Sequence, residues 1–369
     1  MKIEAYSPTI RRKEMDAVLT VMVEDKIGPG EQAKILIQMA REKLRFDYCL
    51  ALRSPAFALH VALKSFVLEK GTGVLVSAFS PLYYDWVIRD LGLIPVYCDV
   101  MPFTACIGRE TVEKALSSRP AGLDISCIAL HHTLGYQSDA AAIAEFGFPL
   151  IEDHSQSYAS AAETAPTEET APAEEGVSPE TSSNKGFPPS IGELTIIGLE
   201  ERDMLTSGGG ALLYSASRRT SRSRDGVLLR TMEAIPLEYG LPDMNAALAV
   251  VQFKEAAKNS LKRREIARLY SQAAQRTRHK RFLQNQDYNN YAFPIILETG
   301  VKDVKAYARK KDIVVESAFE NTLIGRGIAP SEQCPEAYSL SLRTILFPLY
   351  PRLSMDDAGK VAKLIQTLP

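Results

Sequence analysis

Between residues 74 and 152 short apolar runs alternate with stretches of helical periodicity, and this constrains the fold more than any other feature. Residues 74–79, 94–98, 125–130 and 149–152 read as buried strands. Residues 84–91, 109–117 and 139–146 read as the helices between them. Alternation at this spacing predicts a mostly parallel sheet covered by helices. Such sheets bind ligands beyond the C-terminal ends of their strands, which draws attention to Asp99, His131 and Asp153.

The pattern then breaks. From Ser160 to Lys185 the chain has six glutamates and one lysine among Ala, Pro, Ser and Thr, and no aromatic residue lies between Tyr158 and Phe187. A stretch that polar cannot offset its ordering entropy by burial, so residues 160–188 are expected to be a disordered acidic insertion. Strands are expected again at 194–197 and 211–214, with Gly208, Gly209 and Gly210 making a tight turn between them. A long helix is predicted from Asp243 to about Gln275, after Pro242. Strands at 291–296 and 344–347 and helices at 301–311 and 356–368 complete a small α+β unit. The expected division is a large domain over 1–242 and, over 243–369, the long helix with the small domain.

Partner classes are narrowed by charge and hydropathy. A net charge of −2 gives no general attraction to nucleic acid or acidic membranes. The basic run at 218–224 lacks interleaved aromatics and reads as a solvated loop, and the one at 276–281 suits a helix C-terminus. No apolar stretch approaches the roughly 20 residues of a membrane span, and no signal peptide is visible. Five scattered cysteines fit neither a disulfide framework nor a metal site, so a reducing cytoplasm is expected and no metal. His131 and His132 are not at ligand spacing with other His or Cys in the sequence. Tyr83, Tyr84 and Trp86 read equally as pocket lining or core.

An ordered set of motifs then carries a resemblance. These are Ile27-Gly-Pro-Gly30, Leu59-His-Val-Ala-Leu63, Gly92-Leu-Ile-Pro-Val-Tyr-Cys-Asp99, and His132-Thr-Leu-Gly135 with Asp139. Ile151-Glu-Asp-His-Ser-Gln156, Leu241-Pro-Asp-Met-Asn-Ala-Ala-Leu248 with Gln252, the run starting Arg263-Arg264, and Phe347-Pro-Leu-Tyr350 with Leu353 follow. Each is weak alone. Together, in this order and over nearly the whole chain, they resemble the DegT/StrS-type sugar-nucleotide aminotransferases. The resemblance implies the type I (aspartate-aminotransferase-like) fold, pyridoxal phosphate (PLP), a sugar-nucleotide substrate, and a homodimer with sites at its interface.

Such chemistry needs a Schiff-base lysine, an acidic partner for the pyridinium nitrogen, a ring-stacking side chain and a phosphate cup. Asp153 matches the pyridinium partner and Gln156 its companion. The lysine is missing: anchored by Gly192 upstream and Thr206-Ser-Gly208 downstream, its position holds Asp203, and no lysine occurs between Lys185 and Lys254. The cup has changed too. Its glycine is Pro55, which has no N–H, and its threonine is Ala56. The stacking aromatic is Pro81, the serine five residues before the lysine is Gly198, and the partner subunit's Asn-Tyr-Arg is Glu238-Tyr-Gly240.

Two readings follow. In one the chain is a non-catalytic homologue that binds a sugar nucleotide or a partner, including an active relative in a heterodimer. In the other it is an enzyme that uses unattached PLP, dehydratase-like, with Asp203 as base.

Overall fold

The computed structural model describes residues 2–44, 46, 48–158, 190–215, 234–283 and 289–369. The acidic stretch at 160–188 and the basic run at 218–224 lie outside them. Ten strands are described: β1 (Tyr48–Leu52), β2 (Gly73–Ser77), β3 (Ile94–Cys98), β4 (Ile125–His131), β5 (Leu150–Asp153), β6 (Leu194–Gly198), β7 (Ala211–Ser215), β8 (Phe293–Ile296), β9 (Glu316–Ser317) and β10 (Thr344–Phe347). Seven form one sheet in the order β1-β7-β6-β5-β4-β2-β3. Pairings among β2 to β6 are parallel, and β7 runs antiparallel to both β6 and β1. This is the mostly parallel α/β architecture expected.

β2, β5, β6 and β7 are buried at every position. Helices therefore cover both faces, which is why these strands read as continuous apolar runs without alternation. Among the covering helices are α3 (Pro55–Ser65), which carries the Leu59–Leu63 motif, and α4 (Tyr83–Asp90) and α5 (Arg109–Ser118), these two close to their predicted limits. Gly208, Gly209 and Gly210 all have positive φ in the β6–β7 connection, as a tight turn requires.

The long helix, Asp243–Ala274, is the frame for the rest. The two N-terminal helices, Arg12–Val23 and Glu31–Leu44, and the last helix, Met355–Gln366, pack along it. Sequence reading placed Asp243 at the start of its own helix, where it could serve as a cap. It does sit in the first turn, but its carboxylate serves another helix: Oδ1 accepts from Gly30 N at 3.0 Å and Ala33 N at 3.1 Å, at the open end of Glu31–Leu44. Gly30 has to be glycine for this approach, because a Cβ there would lie 2.8 Å from Asp243 Oδ2.

A three-stranded sheet, β8-β10-β9, carries the C-terminal part. Its own core holds Ile295, Phe347 and Leu364, whereas Phe319, Leu323 and Ala337 reach into the main core. Phe79, beyond β2, stacks on Phe319 with ring centroids 3.7 Å apart. Asp99, singled out as a strand-end ligand candidate, holds the same junction. Its carboxylate accepts from the N–H groups of Glu336 and Ala337 at the start of helix Pro335–Arg343.

Asp243→Ala removes the acceptor for two N–H groups at a buried helix start. It should cost about 1–2 kcal/mol of stability, read as a lower urea midpoint with an unchanged m-value.

Candidate active site

Three adjacent strand ends build the floor. β4 ends at His131, β5 at Asp153 and β6 at Gly198, with His131 paired to Asp153 and Asp153 to Ile196 in register. Asp153 is fully buried. Its Oδ2 accepts from Tyr84 Oη at 2.9 Å and Tyr83 Oη at 3.1 Å, and lies 3.2 Å from His131 Nδ1. Its Oδ1 accepts from Ser155 N at 2.9 Å and from Ser155 Oγ. Burial works against the charged form, but His131 and the Ser155 donors outweigh it and hold the carboxyl below the usual range. Burial and the Asp153 charge push both tyrosine hydroxyls well above their usual range, so they remain donors.

Beneath lies a second cluster that spacing along the chain did not disclose. His132 Nε2 and His154 Nε2 are 3.2 and 3.5 Å from Glu152 Oε2, and the three side chains could enclose a metal ion. Hydrogen bonding assigns them otherwise. Ser138 N donates to His132 Nδ1, so the neutral ring carries its proton on Nε2, which then donates to Glu152. Burial, with His154 adding, lowers His132 to about 4, so it is neutral. Glu152 Oε1 accepts from Ser190 Oγ, Ile191 N and Gly192 N. The cluster pins β5 to the segment entering β6.

Above the floor opens a cavity of about 620 Å³. Phe79, Pro81, His131, Leu134, Gln156 and Asp203 line it from the large sheet's side. Tyr291, Lys305, Arg309, residues 312–322 and Arg326 line it from the C-terminal part, and Lys2 reaches in from the N-terminus. Arg202 grips Glu316 with both terminal nitrogens, at 2.6 and 3.1 Å. Lys305 bonds only the Ser317 hydroxyl and Arg326 only the Asn321 carbonyl. With Arg309 they form three rim cations that make no ion pair among the described residues. Lys305 and Arg309 are four residues apart on one helix, so they share a face.

The sequence profile of the DegT/DnrJ/EryC1/StrS aminotransferase family matches residues 8–168 and 215–366. The chain belongs to this family. A relative from Saccharopolyspora spinosa, named dTDP-4-dehydro-2,3,6-trideoxy-D-glucose 4-aminotransferase, is 24% identical over 96% of this chain and 93% of its own length. Among solved structures, a Streptococcus pneumoniae protein described as a sugar aminotransferase, in its PLP form, superposes with TM-score 0.81 at 15% identity, over 100% of this chain and 97% of that one. A GDP-4-keto-6-deoxymannose-3-dehydratase superposes with TM-score 0.76 at 12% identity, over 98% of this chain and 100% of that one. The family is PLP-dependent and the fold is of the type I kind.

The family's expected site residues divide in the structure. Gln156, Pro81 and Asp203 line the cavity, while Asp153 lies under Tyr83, Tyr84 and His131. Gln156 is engaged: its Oε1 accepts from Leu134 N at 2.6 Å, holding Leu134 at φ 55°. Pro55, Ala56 and Gly198 are not in the cavity wall. Pro55 opens α3 at its first turn, and Ser54 Oγ takes the Phe57 N–H at 3.1 Å. The Glu238-Tyr-Gly240 segment, expected to act on a partner subunit, packs on this same helix start within one chain. Arg53 N donates to Tyr239 O at 3.1 Å, Arg53 Nε to Glu238 O, and Tyr239 stacks on Phe57 at 4.5 Å.

Asp203 and Gly198 explain each other. Asp203 Oδ2 accepts from Glu200 N at 2.8 Å, which folds the carboxylate back over β6. A Cβ at Gly198 would lie 2.2 Å from that oxygen and 2.6 Å from Ser155 Oγ. A serine there, as the family pattern has, is incompatible with this Asp203 placement. Burial, followed by the Asp153 and Glu200 charges, pushes the Asp203 carboxyl up to about 7, against the bond from Glu200 N.

Gly198→Ser should therefore destabilise the chain by about 1–3 kcal/mol. Asp203→Gly in the same chain should recover part of that loss, which a double-mutant cycle reads as coupling. A raised carboxyl binds its proton more tightly in the folded state, so its contribution falls as pH rises from the unfolded value near 4 to about 7. The stability of Asp203→Asn relative to the native chain should accordingly rise across that window, measured by urea titration at each pH.

Proposed function

We propose that the chain is a sugar-nucleotide-binding member of the family that does not transaminate. The observation carrying this reading is the state of Asp153. Its carboxylate already accepts from Tyr83, Tyr84 and, twice, Ser155, with the His131 ring packed 3.2 Å away, which leaves no orientation toward a pyridinium nitrogen. The residues present do not fit PLP on two further grounds. The position aligned with the lysine holds a carboxylate, and a carboxylate forms no Schiff base. The helix start aligned with the phosphate cup has lost one N–H to Pro55 and spends another on Ser54.

What remains suits the rest of a family substrate. Lys305, Arg309 and Arg326 offer uncompensated positive charge for a diphosphate. On the same cavity wall Glu320, which is exposed, and Glu316, held by Arg202, offer acceptors for sugar hydroxyls. In this reading the cavity lies between a 1–242 domain and a 243–369 domain. The chain pairs with itself or with an active relative, in a cytoplasm where its five unpaired cysteines stay reduced. The alternative use of unattached PLP, with Asp203 as base, has in its favour that Asp203 lines the cavity. It meets the same obstacle at Asp153.

Titrating the purified protein with PLP and with pyridoxamine phosphate should give no saturable, ring-perturbed absorbance, and D203K should give no covalent adduct. A saturable spectrum would return the chain to the PLP enzymes. Calorimetry with dTDP-4-dehydro-2,3,6-trideoxy-D-glucose and with GDP-4-keto-6-deoxymannose should detect binding of at least one. The double variant K305A/R309A should weaken it about tenfold or more, and weaken it less at high salt.

A further inference from the structure

We infer that the cavity floor carries an acid–base pair, His131 and Asp203, that moves a proton at the carbon beside a sugar ketone without any cofactor. This deepens the sugar-nucleotide reading and rests on it.

His131 is 3% exposed and lines the cavity. Its Nδ1 lies 3.2 Å from Asp153 Oδ2 without making a hydrogen bond to it, and its Nε2 makes none to a described residue either. A carboxylate beside Nδ1 favours the tautomer protonated there, which leaves the Nε2 lone pair free to take a proton. Asp153 is the positioning residue in this arrangement. Asp203 lines the same cavity from beyond β6. Its Oδ2 is occupied by Glu200 N, and its Oδ1 receives no donor among the described residues. Asp203 forms no ion pair among them either.

The spacing suits a sugar between the two groups. β4 and β6 flank β5, so their ends are two strand spacings apart, roughly 10 Å. His131 at the end of β4 and Asp203, whose carboxylate folds back over Gly198 at the end of β6, both line the cavity. The environments also push the two aspartates apart. Asp153 is held ionised beside His131, while burial holds Asp203 at about 7, where much of it carries a proton. Opposed shifts of this kind are how acid and base roles are divided at one pH.

The step balances without an oxidant or reductant. His131 Nε2 takes the proton from the carbon next to the ketone. The electron pair of that C–H bond becomes the new C=C bond, and the carbonyl π pair takes the Asp203 proton, giving an enol. Reversal returns a proton from His131 to carbon and one from oxygen to Asp203. Return to the same carbon exchanges its hydrogen with solvent, and return on the opposite face inverts it.

The test uses the full chain, treated with hydroxylamine and dialysed until no PLP absorbance remains. It is incubated in D2O with whichever of the two keto-sugar nucleotides named above it binds. Proton NMR should show loss of the hydrogens flanking the ketone about 100-fold faster than in buffer. H131Q and D203N should each remove most of that rate while calorimetry shows the nucleotide still bound and thermal melts show both variants folded. A bound nucleotide with no exchange above buffer overturns the inference. So does exchange that survives D203N, or exchange that appears only when PLP is added. If neither nucleotide binds, the sugar-nucleotide reading falls first, and this inference falls with it.

Discussion

The carboxylate of Asp153 sets the terms for everything around it. A fully buried charge costs several kcal/mol unless neighbours replace its water. Here the replacements are hydrogen bonds from two hydroxyls of α4 and from the backbone and hydroxyl of Ser155 beyond β5, with the His131 ring of β4 packed 3.2 Å away. Those donors tie the first turn of α4 to the end of β5. The same economy shapes Glu152 one residue earlier, whose donors lock β5 to the approach of β6. Successive residues of one strand thus point to opposite faces, each with a carboxylate whose lost water is replaced by donors of the chain itself.

Against that background the departures from the family pattern are linked. Asp203 lies over Gly198, and the space it uses is the space a serine side chain would fill. Ser155 borders the same gap and donates to Asp153. A change at one of these positions therefore alters what the other two can be. At α3 the link is similar. Proline at the first turn removes an N–H that would otherwise need an acceptor, and Ser54 supplies the acceptor for the next free one. The helix start is complete without an anion. Phe57 and Tyr239 then close over it.

The α/β architecture was legible because buried parallel strands are continuous apolar runs and their helices are amphipathic. β2 to β7 and the long helix fall within a residue or two of where periodicity put them. Motif order led to Asp153, Gln156 and Asp203, and the structure gathers them at one place: Gln156 and Asp203 line the cavity and Asp153 lies beneath it. Other features were not. Tyr83 and Tyr84 satisfy core packing and hydrogen bonding at once, so nothing local separates the two roles. The His132–Glu152–His154 cluster forms across a β4–β5 pairing, so sequence spacing cannot reveal it. Lys305, Arg309 and Arg326 belong to no motif, and exposed cations are ordinary on a helix. Only their shared cavity, and their making no ion pair among the described residues, distinguishes them. Asp243 looked like the start of its own helix because capping is usually local, and its real partner is 210 residues away.

On the proposed reading, anion binding moves within the site. A phosphate held by a helix start depends on N–H groups left free in a dry concavity, and α3 no longer offers them. A phosphate held by Lys305, Arg309 and Arg326 depends on side-chain charge at a wetter mouth. That arrangement is weaker per contact and more sensitive to salt, but it makes no demand on the floor. The floor is then free to hold a second carboxylate. Asp203 beside a bound phosphate would be repelled, whereas Asp203 below a neutral sugar ring would find hydroxyl donors. Cations from the C-terminal part and Asp203 from beyond β6 therefore suit a ligand whose charge is at one end and whose reactive carbons are at the other.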